Sequence, residues 1–189
     1  KGHTACAELL IDAKAAMESR DKTGRTALHG AVDSGRAECV TCLLRAKAQL
    51  ESRDYEGRTA LISAAMSGQT ACAQLLLDAS ANIGAHTSYG ENALHLSVLM
   101  GHRSCAQLLL HGNIDINAKD THGMTALHYA AKYNRSACAQ LLLDANADAS
   151  IRNACGLDPL QMATVYFRWD VSCVLSRPSK SVFGRGLPV

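Results

Sequence analysis

Eight cysteines and eight histidines are the residues of this chain that suggest thiol or metal chemistry. Cys39 and Cys42 have the C-x-x-C spacing of a redox dithiol or of half a zinc site. A structural zinc needs four ligands, and no second cysteine pair lies close in sequence. The chain also lacks a phosphate-binding glycine loop, a dinucleotide fingerprint and an arguable Ser-His-Asp or carboxylate pair. We therefore predict no metal, no cofactor and no catalysis.

Five of the cysteines lie 33 residues apart, and they are Cys6, Cys39, Cys72, Cys105 and Cys138. Packed helices are roughly 8 to 10 Å apart, which exceeds the roughly 7 Å Cα separation that a disulfide can bridge. The spacing therefore predicts a ladder of buried thiols. Cys42 replaces a leucine of the other copies, although a redox role for it stays open. Cys155 falls at a turn, so it is a candidate reactive thiol exposed to solvent.

The period of 33 extends over most of the 189 residues. Asp21-Lys-Thr-Gly-Arg-Thr-Ala-Leu-His29 recurs with the same spacing from residues 54, 87, 120 and 153. We predict a repeat domain over 1–177 and a flexible tail over 178–189. The domain comprises a half repeat 1–20, full repeats 21–53, 54–86, 87–119 and 120–152, and a degenerate capping repeat 153–177. Units this short cannot bury an apolar face alone, so they must stack.

Each repeat reads as a turn followed by two helices. A glycine suits the turn, and the residue two positions later is a good helix N-cap, namely Thr26, Thr59, Asn92, Thr125 or Asp158. Gly35, Gly68 and Gly101 are expected to end the first helices in a left-handed conformation. Asn134 is expected to replace this glycine, and Phe167 is not. The second helix carries small and leucine residues at spacings of three and four, which predicts one buried stripe.

The segments Thr26-Ala-Leu-His-Gly-Ala31 and Thr125-Ala-Leu-His-Tyr-Ala130 resemble the T-P-L-H-x-A signature of the ankyrin repeat family. The resemblance implies an all-α solenoid of helix-turn-helix units with β-hairpin fingers and a concave surface formed by fingers and first helices. It also implies that His29, His95 and His128 form structural hydrogen bonds across repeats. The expected function is a non-catalytic protein-interaction module that serves as a scaffold or adaptor.

In the ankyrin repeat family, certain positions of each repeat usually face a partner, and the 33-residue period identifies the residues of this chain at those positions. They predict contacts from the fingers and from the ends of the first helices, with Met66, Leu99, Met100 and Tyr133 side by side as a groove. The predicted partner-binding residues are Arg25, Arg53, Tyr55, Arg58, Met66, Tyr89, Leu99, Met100, Lys119, His122, Met124, Lys132 and Tyr133. Tyrosine, methionine and arginine are favoured at interface cores. The alternative is that the groove residues only pack between fingers and helices.

One repeat position forms a mostly basic ladder of Arg20, Arg53, His86, Lys119 and Arg152. Such a ladder could steer an acidic partner. The alternative is a solvated edge whose charge is offset by Glu18, Glu51 and Asp54. A net charge of +2 and few aromatic residues argue against a nucleic-acid partner. The apolar runs are too short for membrane insertion.

Asn117 is a candidate modification site. Leu109 lies eight residues before it and an aliphatic residue directly before it, as in the substrate pattern of the asparaginyl hydroxylase that acts on ankyrin repeats. The alternative is that Asn117 only hydrogen-bonds within its loop.

Two other functions stay open, namely a regulatory segment of a larger enzyme or channel and a thiol-based redox protein. Because residue 1 falls in the middle of a repeat, the chain is expected to be a monomeric domain of something longer. Free thiols in regular positions favour the cytoplasm or the nucleus.

Overall fold

The computed structural model describes residues 16–176 together with Glu8, Leu9 and Ala13. Within these residues, helices alternate between two sets. The first helices of the repeats are α1 (Ala27–Asp33), α3 (Ala60–Met66), α5 (Ala93–Met100), α7 (Ala126–Lys132) and α9 (Pro159–Val165). The second helices are α2 (Ala37–Arg45), α4 (Thr70–Asp78), α6 (Arg103–His111), α8 (Ser136–Asp144) and α10 (Trp169–Leu175). Cys6, most of the half repeat 1–20 and the tail lie outside the described residues.

The helices stack in two rows. Each first helix packs against the next first helix, each second helix packs against the next second helix, and the two helices of one repeat pack together. Leucines that recur every 33 residues, such as Leu61, Leu94 and Leu127, are almost completely buried between the rows. Buried alanines beside them let the helices approach closely. The predicted all-α repeat solenoid is confirmed.

The predicted N-cap residues all precede their first helices in extended backbone conformations. For example, Asp158 Oδ1 accepts a hydrogen bond of 2.8 Å from the backbone N–H of Gln161. At the other end, Gly35, Gly68 and Gly101 have positive φ angles. Local sequence therefore determines where these helices begin and end.

Phe167 contradicts the prediction, because it adopts the left-handed conformation with φ 54°. The backbone N–H of Arg168 bonds to Ala163 O at 2.8 Å, as that of Arg135 bonds to Ala130 O at 2.9 Å in the preceding repeat. Both bonds close the end of the first helix. The stack thus imposes the conformation on a side chain that remains 76 % exposed.

The three signature histidines connect consecutive repeats. Each ring Nδ1 contacts the N-cap of its own helix, as in the 3.1 Å contact from the backbone N–H of Thr125 to His128. Each Nε2 lies 3.0 to 3.1 Å from a backbone oxygen of the next finger, in Arg58, Met124 or Leu157. The predicted structural role is confirmed. Burial lowers the pKa of His95 and His128, although hydrogen bonds to backbone carbonyls oppose the shift.

The fingers are hydrogen-bonded turns. In the finger of the second full repeat, Asp54 Oδ1 accepts from the backbone N–H groups of Glu56 and Arg58 at 3.0 and 2.9 Å. Single backbone bonds join neighbouring fingers, as from Tyr55 N–H to Thr23 O at 3.2 Å. Among residues 16–176, the only β-bridge is an isolated one between His86 and Asn92. The β-hairpin part of the prediction is therefore not confirmed.

The buried histidines predict a loss of stability in mild acid. The unfolded chain binds protons near the ordinary histidine pKa of about 6.5, whereas folded His95 and His128 bind them only at lower pH. The free energy of unfolding should therefore be highest above the ordinary histidine pKa of about 6.5. It should fall as the pH drops from there towards the lower pKa values of the folded histidines. His95→Gln should cost about 1 to 3 kcal/mol at neutral pH through lost buried hydrogen bonds, and it should flatten the pH dependence.

Denaturant unfolding between pH 7.5 and pH 5 measures both effects. His122→Gln serves as the control because His122 is exposed on a finger. An unchanged pH dependence in His95→Gln would contradict the assigned role of this ring.

Candidate functional site

The first helices end on one face of the stack, which we call the inner face. It consists of the C-terminal ends of α3, α5, α7 and α9, including the residue that follows each helix, together with the fingers. A row of apolar and aromatic side chains runs along it, formed by Met66, Leu99, Met100, Tyr133, Val165 and Tyr166, with Lys132 among them. Met100 is 45 % exposed, Tyr133 39 % and Tyr166 42 %, whereas Met66 and Leu99 are half-buried. The row is therefore accessible mainly towards its C-terminal half.

Lys132 lies between two tyrosines of this row. Its Nζ is 5.2 Å from the centroid of the Tyr133 ring and 5.9 Å from that of the Tyr166 ring. Both distances fall within the range of a cation–π interaction. Tyr133 also stacks on Tyr129, with ring centroids 6.2 Å apart. These contacts fix the position of the ammonium group on the surface.

Arg25 and Arg58 form ion pairs with their own repeats. Arg25 pairs with Asp21 at 3.3 Å and with Asp33 at 3.0 Å. Arg58 pairs with Asp54 at 2.7 Å and with Glu56 at 3.0 Å, and its Nη1 lies 3.6 Å from Met66 Sδ. These guanidinium groups thus hold fingers against first helices.

The ion pair with Arg58 changes the pKa of the Asp54 carboxyl group. Burial alone would raise its pKa, but hydrogen bonds from Arg58 and the charge of that guanidinium outweigh burial and lower it. Asp54 therefore stays ionised and keeps its bonds to the finger.

Met124 corrects the predicted partner-binding set. It is only 8 % exposed and belongs to the hydrophobic core, so it is not available to a partner. Its finger position is shared with Arg25, Arg58 and Glu91, but a methionine has no reason to face water and packs inward instead.

Tyr129 is a residue that the sequence did not single out. Its hydroxyl oxygen lies 2.8 Å from both Glu91 Oε1 and Asp120 Oδ2. The three groups join the fingers of two adjacent repeats through α7. Burial and the two nearby carboxylates raise the pKa of Tyr129 well above its ordinary value. Its repeat position holds Gly30, Ser63, Leu96 and Met162 elsewhere, so periodicity gave no signal.

The predicted finger residues Tyr55, Tyr89 and His122 are exposed. Tyr55 nevertheless covers the preceding finger, because a Cβ added at Gly24 would lie only 2.6 Å from its ring. Gly24 also has φ 81°. A larger residue at position 24 is thus excluded for two independent reasons.

Arginines of the basic ladder donate hydrogen bonds to backbone oxygens of the fingers. Arg53 Nη1 donates to Gly57 O at 3.1 Å and to His86 O, and Arg20 donates likewise to Gly24 O and Arg53 O. Arg152 donates to Gly156 O at 2.9 Å. Lys119 is exposed in the same row. The ladder has a structural role, and partner binding by Arg53 and Lys119 stays a prediction.

Asn117 is half-buried and connects two loops. Its Oδ1 accepts a hydrogen bond of 3.0 Å from the backbone N–H of Asp148 in the next repeat. Glu51 Oε1 makes the equivalent bond to Asn82 N–H at 2.8 Å. The structural interpretation of Asn117 is supported, and its hydroxylation stays a prediction.

The cysteines divide into two groups. Cys39, Cys72, Cys105 and Cys138 are buried free thiols, as the ladder predicts, and Cys155 is exposed. Burial raises the pKa of Cys72, Cys105 and Cys138.

Cys42 is half-buried. Burial and the neighbouring carboxylate of Glu8 raise its pKa, so the thiolate needed for redox chemistry is disfavoured. This weakens the redox alternative at the C-x-x-C segment.

Within the described residues, no group of three or more His, Cys, Asp or Glu side chains is placed to hold a metal ion. The helices of this part of the chain also include none that is long and apolar enough to cross a membrane.

Paired helices of 33-residue units, joined through fingers and stacked in two rows, define a helical-repeat solenoid. The family model described as ankyrin repeats (3 copies) matches residues 1–87, 49–120, 79–153 and 115–174. The chain therefore belongs to the ankyrin repeat family. A comparison with curated proteins found no match. Ankyrin repeats generally serve as protein-interaction modules and are typically not enzymes.

The thiol groups provide a direct test of the stack. Cys155 and Cys173 are exposed, so both should react with Ellman's reagent in the native protein within minutes. The four buried ladder cysteines of residues 16–176 should react only after unfolding, because burial blocks access. Peptide mapping by mass spectrometry would assign each site, and Cys155→Ser should remove one fast site. Fast labelling of Cys105 would contradict the described packing.

Proposed function

We propose that this chain is a non-catalytic scaffold or adaptor that binds a protein partner on its inner face. The supporting observation is the row of Met100, Tyr133 and Tyr166, which lie at equivalent positions of three successive repeats and remain exposed. Contiguous exposed apolar side chains often mark protein-binding surfaces.

The surroundings of the row favour this proposal. Tyrosine and methionine are enriched at interface cores, and the first helices that carry them are fixed by buried leucines on their other side. A rigid surface binds with little loss of conformational entropy. Tyr55, Tyr89 and His122 on the fingers would extend the contact.

The proposed context is a monomeric domain in the cytoplasm or nucleus. Free thiols at regular buried positions support a reducing compartment. The regulatory segment of a larger enzyme or channel would use the same surface.

Affinity capture from cell lysate tests the proposal, comparing the native chain with the double variant Met100→Glu, Tyr133→Glu. A residue at the centre of an interface often contributes about 2 kcal/mol or more. Loss of two anchors should therefore weaken binding by more than about a hundredfold. Proteins retained by the native chain should be absent from the variant.

The matched control is Gln107→Glu, Ala137→Glu, which adds the same two charges at exposed positions of the second helices. All chains must show the same helical circular dichroism. If the inner-face variant retains the same proteins as the native chain, binding by the inner face is wrong.

We further propose that Asn117 is a substrate for the asparaginyl hydroxylase of ankyrin repeats. The leucine eight residues upstream and the half-buried position in a loop between repeats support this. Treatment with the enzyme and its co-substrates should add one oxygen atom to the native chain and none to Asn117→Ser, as measured by intact mass. No gain in the native chain would refute the proposal.

A further inference from the structure

Two finger arginines of the inner face have counter-ions within the chain. In repeats 21–53 and 54–86, Arg25 and Arg58 each pair with two carboxylates. These cations are already neutralised within the chain. A ligand that approached this half would have to compete with ion pairs of 2.7 to 3.3 Å.

In repeats 87–119 and 120–152, the carboxylates of Glu91 and Asp120 contact groups that are not cations. Glu91 and Asp120 both contact the buried hydroxyl group of Tyr129 at 2.8 Å. The other oxygen of Asp120 accepts from the backbone N–H groups of His122 and Met124 at 2.8 Å each. Both acids thus have a polar partner inside the stack.

Lys132 is a half-buried lysine at the C-terminal end of α7. None of the ion pairs found in residues 16–176 involves it. Its ammonium group lies between the exposed rings of Tyr133 and Tyr166, and Met100 occupies the preceding position of the same row. Lys119 and His122, both exposed, add basic groups to the same repeat or its edge. We call Met100, Lys132, Tyr133 and Tyr166 the Lys132 patch.

We propose that the Lys132 patch binds an acidic peptide segment, with one carboxylate on Lys132 and an adjacent apolar side chain against Met100 and Tyr133. This inference rests on the proposed function and specifies the chemistry of its partner. A carboxylate complements an ammonium group that belongs to none of the ion pairs of residues 16–176. The two rings cover the flanks of the ion pair and exclude water from it, which strengthens the attraction.

A peptide fits the patch better than a nucleic acid. The patch offers one lysine rather than a row of phosphate contacts, and the whole chain carries a net charge of only +2. Met100 and the 57 % exposed Val165 provide apolar area for a side chain.

Selection from a random 12-residue peptide library displayed on phage tests the inference with this chain as bait. Selected peptides should be enriched in Asp and Glu next to an aliphatic or aromatic residue. A synthetic selected peptide should bind Lys132→Gln about tenfold more weakly than the native chain. Lys22→Gln is the matched control, since Lys22 is an exposed finger lysine in the other half, and it should leave the affinity unchanged.

A double-mutant cycle isolates the proposed ion pair. The peptide whose acidic residues are replaced by Asn or Gln should bind the native chain about tenfold more weakly, and Lys132→Gln should cause no further loss with it. Such coupling is expected only when the two groups interact. Lys132→Gln should fold normally, because the contact from Arg168 to residue 132 uses the backbone oxygen.

The remaining outcomes separate the two proposals. If selected peptides show no acidic enrichment, or if the cycle shows no coupling, the acidic-peptide inference is wrong even where Met100→Glu, Tyr133→Glu abolishes binding. In that case the proposed function stands. If the selected peptides bind that double variant unchanged, both fail. Binding of a single-stranded oligonucleotide that depends on Lys132, with no peptide selected, would overturn the inference in favour of nucleic acid.

Discussion

Each repeat of this protein can bury its apolar residues only against another repeat. The helices of residues 16–176 have seven to nine residues, which is too short for helices to be stable alone in water. Stability must therefore come from the junctions, where recurring leucines, alanines and cysteines meet their counterparts 33 residues away. The small side chains bring the helices close, and the finger turns need glycine for a separate reason, as at Gly24 with its φ of 81°. Because each repeat is buried only by its neighbours, equivalent residues must recur at the same 33-residue spacing.

Polar groups at the junctions obey the same constraint. The N-cap residues of α1, α3, α5 and α7 are buried, so the backbone N–H groups at these helix starts and the finger carbonyls above them need partners. His29, His95 and His128 satisfy both at once, through one ring nitrogen each. Ile62 occupies the same position in repeat 54–86 and is completely buried. At this position, apolar packing of Ile62 replaces the hydrogen bonds that His29 and His95 make in the repeats on either side.

The repeat itself carries the information for the features that could be predicted from the sequence. The N-caps, the positive φ of the helix-ending glycines and the buried thiols each follow from local chemistry at a recurring position. Phe167 was mispredicted because the chain of hydrogen bonds that ends α9 outweighs the preference of one residue. Met124 was mispredicted because family position alone does not say whether a side chain turns outward. The sequence leaves open whether the basic ladder steers an acidic partner or forms a solvated edge, and the contacts of its arginines with backbone oxygens appear only when neighbouring fingers are placed beside them.

The residues that vary between repeats are thus of two kinds, and only three-dimensional contacts distinguish them. Arg58, Met124 and Tyr129 vary because each completes a particular junction, through an ion pair, a packed side chain or a shared hydroxyl. Lys132 and Tyr133 instead place charged and aromatic groups at the surface, where the Lys132 ammonium group also lies within cation–π distance of Tyr166 in the next repeat. Tyr129 connects the two kinds, because it draws Glu91 and Asp120 into the interior and supports the ring of Tyr133 by stacking. The junction built around Tyr129 therefore positions both the finger carboxylates and the aromatic surface beside Lys132.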